Sequence, residues 1–146
     1  MHMTSDSVSC LFCRIIASEV SAAVVFEDEV SMAFLDHRPL FAGHCLLVPR
    51  KHFETLNDLP ETLIPRFFAN TKLLAEAVES SLEAAGTFIA INNRVSQSVP
   101  HLHVHVVPRR KKDGLKGFFW PRTKYKDEEE LLAVQQAIQR RIKEIQ

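Results

Sequence analysis

The sequence predicts an α+β fold of about five strands, mostly in sequence order as a meander, packed by two main helices. Three observations point there. Short apolar or alternating runs recur at residues 24–26, 31–35, 45–48, 87–91 and 101–107, with the lengths and periods of strands. Apolar residues recur at Ile64, Phe67, Leu74, Val78 and Leu82, and again at Leu131, Val134, Ile138, Ile142 and Ile145, which are two helical stripes. Strands and helices do not alternate regularly, which argues against a doubly wound parallel sheet.

Each element has a local cause. Residues 13–18 are predicted as a short helical turn. The acidic turn Glu27-Asp28-Glu29 joins the first two strands, and Pro39, which lacks an N–H donor, ends the second. Pro49 is expected to stop the third. Asp58 with Glu61 three residues on forms a capping-box pattern, while Pro65 predicts a break or restart of the long helix. Gly86 is its predicted stop. Asp127 is the predicted cap of the last helix, with Glu128, Glu129 and Glu130 at the positive end of its dipole.

A chain of 146 residues is expected to form a single domain over 1–146, with 1–9 flexible, a basic and aromatic segment at 109–126 and a C-terminal helix at 127–146. A net charge of zero gives no global electrostatic case for nucleic acid or membranes. No apolar run approaches the roughly 20 residues of a membrane span, and residues 1–9 have no signal-peptide core. Three cysteines do not make a secreted disulfide framework, so a cytoplasmic protein is expected.

Three of the seven histidines fall in His101-Leu102-His103-Val104-His105-Val106-Val107. Period-two alternation places the three imidazoles on one face and Leu102, Val104 and Val106 on the other. An imidazole can attack phosphorus and form a phosphoramidate, provided it is neutral and its other nitrogen is held by a partner. Just ahead, the loop 92–100 offers amides, hydroxyls and Arg94, which suit a phosphate or simply a polar turn. Cys10-Leu11-Phe12-Cys13 suits one tetrahedral zinc, a redox pair or two packed thiols; His52 and His101 are available as further ligands. Walker and GxSxG motifs are absent.

Gln97-Ser98-Val99-Pro100 followed by the histidine run resembles the histidine triad (HIT) motif, His-φ-His-φ-His-φ-φ with φ apolar. Ala33-Phe34-Leu35-Asp36 and the stretch from Gly43-His44-Cys45 to Lys51-His52 resemble the first half of that family, and the Cys10/Cys13 pair resembles its zinc-bearing members. The resemblance implies a five-stranded antiparallel sheet with helices, extended in a homodimer. It implies hydrolysis or transfer at the α-phosphate of a purine nucleotide substrate, a nucleoside phosphoramidate or a dinucleoside polyphosphate. By position, His103 is the implied nucleophile, with His105 and His44 contacting the phosphate or orienting it. Gln97 and Ser98 are implied on the phosphate and the leaving side, Asp36 on the ribose hydroxyls, and Asn92 near sugar and phosphate. Phe12, Phe34, Leu35 and His37 are implied as the wall around the base. The implied ligands of a structural Zn2+ are Cys10, Cys13, His52 and His101. The loop before Gln97 is short and free of glycine, a departure from many members that makes Arg94 a candidate extra contact.

Two other functions are compatible with these residues. One is a nucleotide-binding or interaction module with little turnover. The other is an enzyme removing adenylate from nucleic-acid 5′ ends, supported only by the basic and aromatic segment 109–126, which also suits a lid or dimer contact. Nucleic acid and membrane are not the expected partners.

Overall fold

A computed structural model describes residues 9–115 and 122–146 of the chain. The expectations on 1–8 and on 116–121, including Phe118, Phe119 and Trp120, lie outside the described residues. The elements run α1 (Leu11–Ile16), β1 (Val24–Glu27), β2 (Ser31–Leu35), β3 (Cys45–Pro49), α2 (Ile64–Ser81), β4 (Gly86–Ala90), β5 (Val104–Arg109) and α3 (Glu128–Ile145). They fall into two compact units that divide after Asp113, α3 lying in the second.

The five strands form one antiparallel sheet in the order β1-β2-β3-β5-β4. This is not a simple meander. α2 carries the chain from β3 to the far edge, and β5 returns between β4 and β3. The return gives the histidine strand neighbours on both sides: His105 sits opposite Leu46 of β3 and Ala90 of β4.

β2 and β3 are buried along nearly their whole length because both faces of the sheet are covered. Ala33, Cys45, Leu47, Leu102, Val104 and Val106 meet Phe67, Leu74 and Val78 of α2 on one face. Met32, Phe34, Leu46 and Val48 meet Cys10, Phe12 and Ile15 around α1 on the other. The period-two pattern thus sorts alternate residues into two cores. Asn70 ties α2 to the sheet: its Nδ2 donates to Asp28 Oδ2 at 2.8 Å and to Ser31 Oγ at 2.7 Å.

Several boundaries differ from expectation. Pro49 lies inside β3 as its last residue. Asp58 does not cap the long helix; its Oδ2 accepts from the Thr55 N–H and hydroxyl, closing a 3-10 turn at Leu56–Asp58. Pro65 sits in the first turn of α2, where its missing N–H leaves no bond unmade. Gly86 opens β4 rather than stopping the helix, which has already ended at Ser81; Glu83 takes the left-handed turn, φ 52°. Gly43 has φ +100°, and a Cβ there would run into Leu82, so glycine is required immediately before His44. In α3, Asp127 caps as expected, accepting from the Glu130 N–H at 2.8 Å.

Phe67 is fully buried in the α2 face of the core. Phe67→Ala is expected to cost about 3–5 kcal/mol, read as a lower urea midpoint with an unchanged slope.

Candidate functional site

The histidine run enters β5 only at Val104, so His101, Leu102 and His103 form an extended approach to the strand. Alternation still holds: Leu102, Val104 and Val106 enter the α2 core. The imidazoles turn to the other face, where they are covered rather than wet. His101 is fully buried and His103 is 3% exposed. The edge of Phe12 from α1 covers both rings, with centroids 5.8 Å from His101 and 5.1 Å from His103.

Hydrogen bonds assign each ring a distinct state. His101 Nε2 donates to the Pro49 carbonyl at 2.9 Å, which leaves the Nδ1 lone pair facing Cys10 Sγ at 3.4 Å and Cys13 Sγ at 3.5 Å. His103 Nδ1 donates to the His101 carbonyl at 2.8 Å, so Nε2 carries the free lone pair. His44 Nδ1 accepts from the Leu40 N–H at 3.0 Å, so its Nε2 carries the proton and donates to His105 Nδ1 at 3.0 Å. His105 is then protonated at Nε2. Burial pushes the pKa of all four histidines down: His101 and His105 to about 4, His44 and His103 below the ordinary 6.5. Neighbouring imidazoles add to the fall at His105, while Asp36 opposes it. The rings are therefore neutral near pH 7.

A cavity of about 580 Å³ opens beside these rings, within the size of small-molecule sites. Its lining includes Phe12, Phe34, Leu35, Asp36, His37, Ser98, His103 and His105. Phe12 and Phe34 meet edge to face at 5.4 Å. Leu35 is 40% exposed and His37 lies out at the rim, while Phe34 is buried. Asp36, at the end of β2, places Oδ2 3.7 Å from His44 Nε2 and accepts the Arg38 N–H on Oδ1.

Three expected site residues do not line this cavity. His44 lies behind His105 and acts on it. Gln97 braces its own loop: Nε2 donates to the Glu54 carbonyl at 2.6 Å and Oε1 accepts from the Arg94 N–H at 2.7 Å. Asn92 is exposed. Arg94 pairs with Glu54 at 3.5 Å on the surface. The lining also includes Ile15, Val20, Ala22, Leu46 and Val99, which were not foreseen. Leu46 alone had a local signal, since it lies in the continuous apolar run of β3.

Cys10, Cys13, His52 and His101 converge, their ligand atoms lying within 4.8 Å of one another. Cys13 Sγ is 3.3 Å from His52 Nδ1. A tetrahedron built on bonds of ~2.3 Å to sulfur and ~2.05 Å to nitrogen has S···N edges of about 3.5 Å. The S···N separations of 3.3–3.5 Å fit it. The Pro49 carbonyl holds His101 in the tautomer that a metal needs. Asp36, His44 and His105 are equally close together. There, however, the Leu40 N–H occupies His44 Nδ1 and leaves Nε2 protonated, so this second group is a hydrogen-bonded chain from Leu40 through His44 to His105.

Sheet order, paired thiols and an alternating histidine run beside an acid-tipped cavity define a histidine triad protein. The chain belongs to the HIT domain family, whose profile matches residues 17–112. It is 34% identical over 111 residues to the adenosine 5′-monophosphoramidase of Saccharomyces cerevisiae, covering 73% of this chain and 67% of that protein. A crystal structure of a HIT family member from Bacillus subtilis superposes with a TM-score of 0.82 at 32% identity, covering 91% and 96% of the two chains. A zinc-bound histidine triad protein from Mycobacterium smegmatis superposes with a TM-score of 0.70 at 36% identity, covering 86% and 91%. Among the described residues, no helix is long and apolar enough to cross a membrane.

Two outcomes follow from this geometry. Zinc added a thousand-fold above its dissociation constant should stabilise the chain by about 4 kcal/mol over the chelator-treated state, and Cys13→Ser should abolish most of that gain in thermal unfolding. His105 refuses a proton in the folded state down to about pH 4, whereas the unfolded chain takes it near 6.5. Unfolding free energy should therefore fall as pH drops from 6.5 to 4, by on the order of 3 kcal/mol from this group, and recover as pH rises through the same window. Urea titrations across that range, compared with His105→Gln, measure the slope.

Proposed function

We propose that this protein is a nucleotidyl hydrolase or transferase acting at the α-phosphate of a purine nucleotide through a nucleotidyl intermediate on His103. The observation that carries this reading is the His103 ring: neutral, lining the cavity, its Nδ1–H held by the His101 carbonyl and Nε2 left to attack. Nε2 forms a bond to phosphorus as the bond to the leaving group breaks. His105, whose Nε2–H is fixed by the His44 hydrogen bond, donates a hydrogen bond to the leaving atom, which takes its proton from solvent. Water then attacks phosphorus and gives one proton to solvent as the P–Nε2 bond breaks, releasing the nucleoside monophosphate and leaving the electron pair on a neutral ring.

Phe12, Phe34, Leu35 and His37 wall the base, and Asp36 accepts from the ribose hydroxyls. Ser98 lies on the phosphate and leaving side. Gln97 and Asn92 serve the phosphate by shaping the loop. A nucleoside phosphoramidate is the favoured substrate, supported by the named activity of the yeast relative, with a dinucleoside polyphosphate second. Zn2+ at Cys10, Cys13, His52 and His101 has a structural role, supported by the donor set and by the zinc-bound relative. The protein works in the cytoplasm as a homodimer, 1–146 acting as one functional domain; the open β4 edge suits extension of the sheet.

The test is turnover of an adenosine phosphoramidate and a diadenosine polyphosphate by wild type and by His103→Ala. The variant should lose ~10³-fold or more, and acid-quenched wild type should carry a nucleotidyl group on His103. Undiminished turnover by His103→Ala would remove the ring from the mechanism.

A further inference from the structure

Within α3, Leu131, Val134, Ile138, Ile142 and Ile145 are all exposed, between 39% and 70%. At ~100° per residue they occupy an arc of about 80°, a continuous apolar stripe. Five large aliphatic side chains on one narrow face are far more than scattered surface residues, and such a face calls for a partner.

The spacing indicates which one. The intervals along the stripe are three, four, four and three residues, the same read from either end. A second α3 laid antiparallel and centred on Ile138 therefore meets it layer for layer: Leu131 on Ile145, Val134 on Ile142, Ile138 on Ile138. A parallel pair would also align the apolar layers, so charge decides the direction. The first turn holds Glu128, Glu129 and Glu130; the last two turns hold Arg140, Arg141 and Lys143 against one acid, Glu144, which pairs with Arg141 at 2.9 Å on its own helix. Antiparallel pairing sets each acidic end beside a basic end, whereas parallel pairing sets like against like. The helix macrodipoles favour the same direction. Glu130 and Arg141 lie on one flank of the stripe, the flank that faces its own copy across an antiparallel pair. A surface complementary to itself under a two-fold rotation is what an isologous contact requires.

We propose that α3 is a self-pairing element: it binds α3 of a second copy of this chain, antiparallel and centred on Ile138. Nothing in this pairing draws on the chemistry proposed at His103.

Cysteine cross-linking in the full-length chain tests it, with wild type as the blank for Cys10, Cys13 and Cys45. Ile138→Cys should give a disulfide-linked dimer, identified by mass as a 138–138 peptide. Leu131→Cys alone should stay at the blank level, while a mixture of Leu131→Cys and Ile145→Cys should link. Self-linking of Leu131→Cys as strong as that of Ile138→Cys would make the pair parallel and overturn the proposal, as would an Ile138→Cys chain that links no more than wild type.

Discussion

His101 holds the structure's two chemical centres in one frame. Its ring is gripped from both sides, by the Pro49 carbonyl at Nε2 and by the two thiols at Nδ1. Its own carbonyl then takes the Nδ1 proton of His103. One residue therefore anchors the end of β3 to the approach of β5, closes the Cys–His cluster and decides which nitrogen of the next histidine is free. A buried imidazole without such partners would cost several kcal/mol in unmet hydrogen bonds and lost solvation. With them, both ring nitrogens of His101 have partners at the start of the histidine run.

The histidines differ through their surroundings rather than their chemistry. Burial makes each of them neutral, and a neutral imidazole has one donor and one acceptor. A backbone group fixes the choice at three rings: Pro49 at His101, the His101 carbonyl at His103, and the Leu40 N–H at His44. The fourth, His105, inherits its tautomer from His44. The catalytic proposal thus rests on main-chain geometry, which a side-chain substitution elsewhere disturbs only by moving the backbone.

Much of this was legible in the residues. Alternation at 101–107 sorted imidazoles from core residues correctly, because the two faces of the sheet demand opposite side chains and a period of two is a local property. The convergence of Cys10 and Cys13 with His52 and His101 joins positions 39 to 91 residues apart, which no local spacing encodes; resemblance alone implied it. Tautomers were illegible, since they depend on which carbonyl or N–H lies opposite in three dimensions. So was the brace made by Gln97, a polar residue that looks equally fit for phosphate or for its own loop. The insertion of β5 between β3 and β4 escaped a reading of strands in sequence order, because the crossover by α2 is a tertiary choice.

α1 is only six residues long, yet it serves both centres. Cys10 and Cys13 reach the cluster, and Phe12 between them walls the cavity and covers His103. The thiols and the ring cannot settle independently, because one turn of helix carries them. Ordering paid for by a ligand at one centre need not be paid again at the other. Coupling free energies are reciprocal: if metal at the thiols tightens the hold on a nucleotide, the nucleotide tightens the hold on the metal by the same factor. Two ligands that each ordered this short helix would share one local equilibrium.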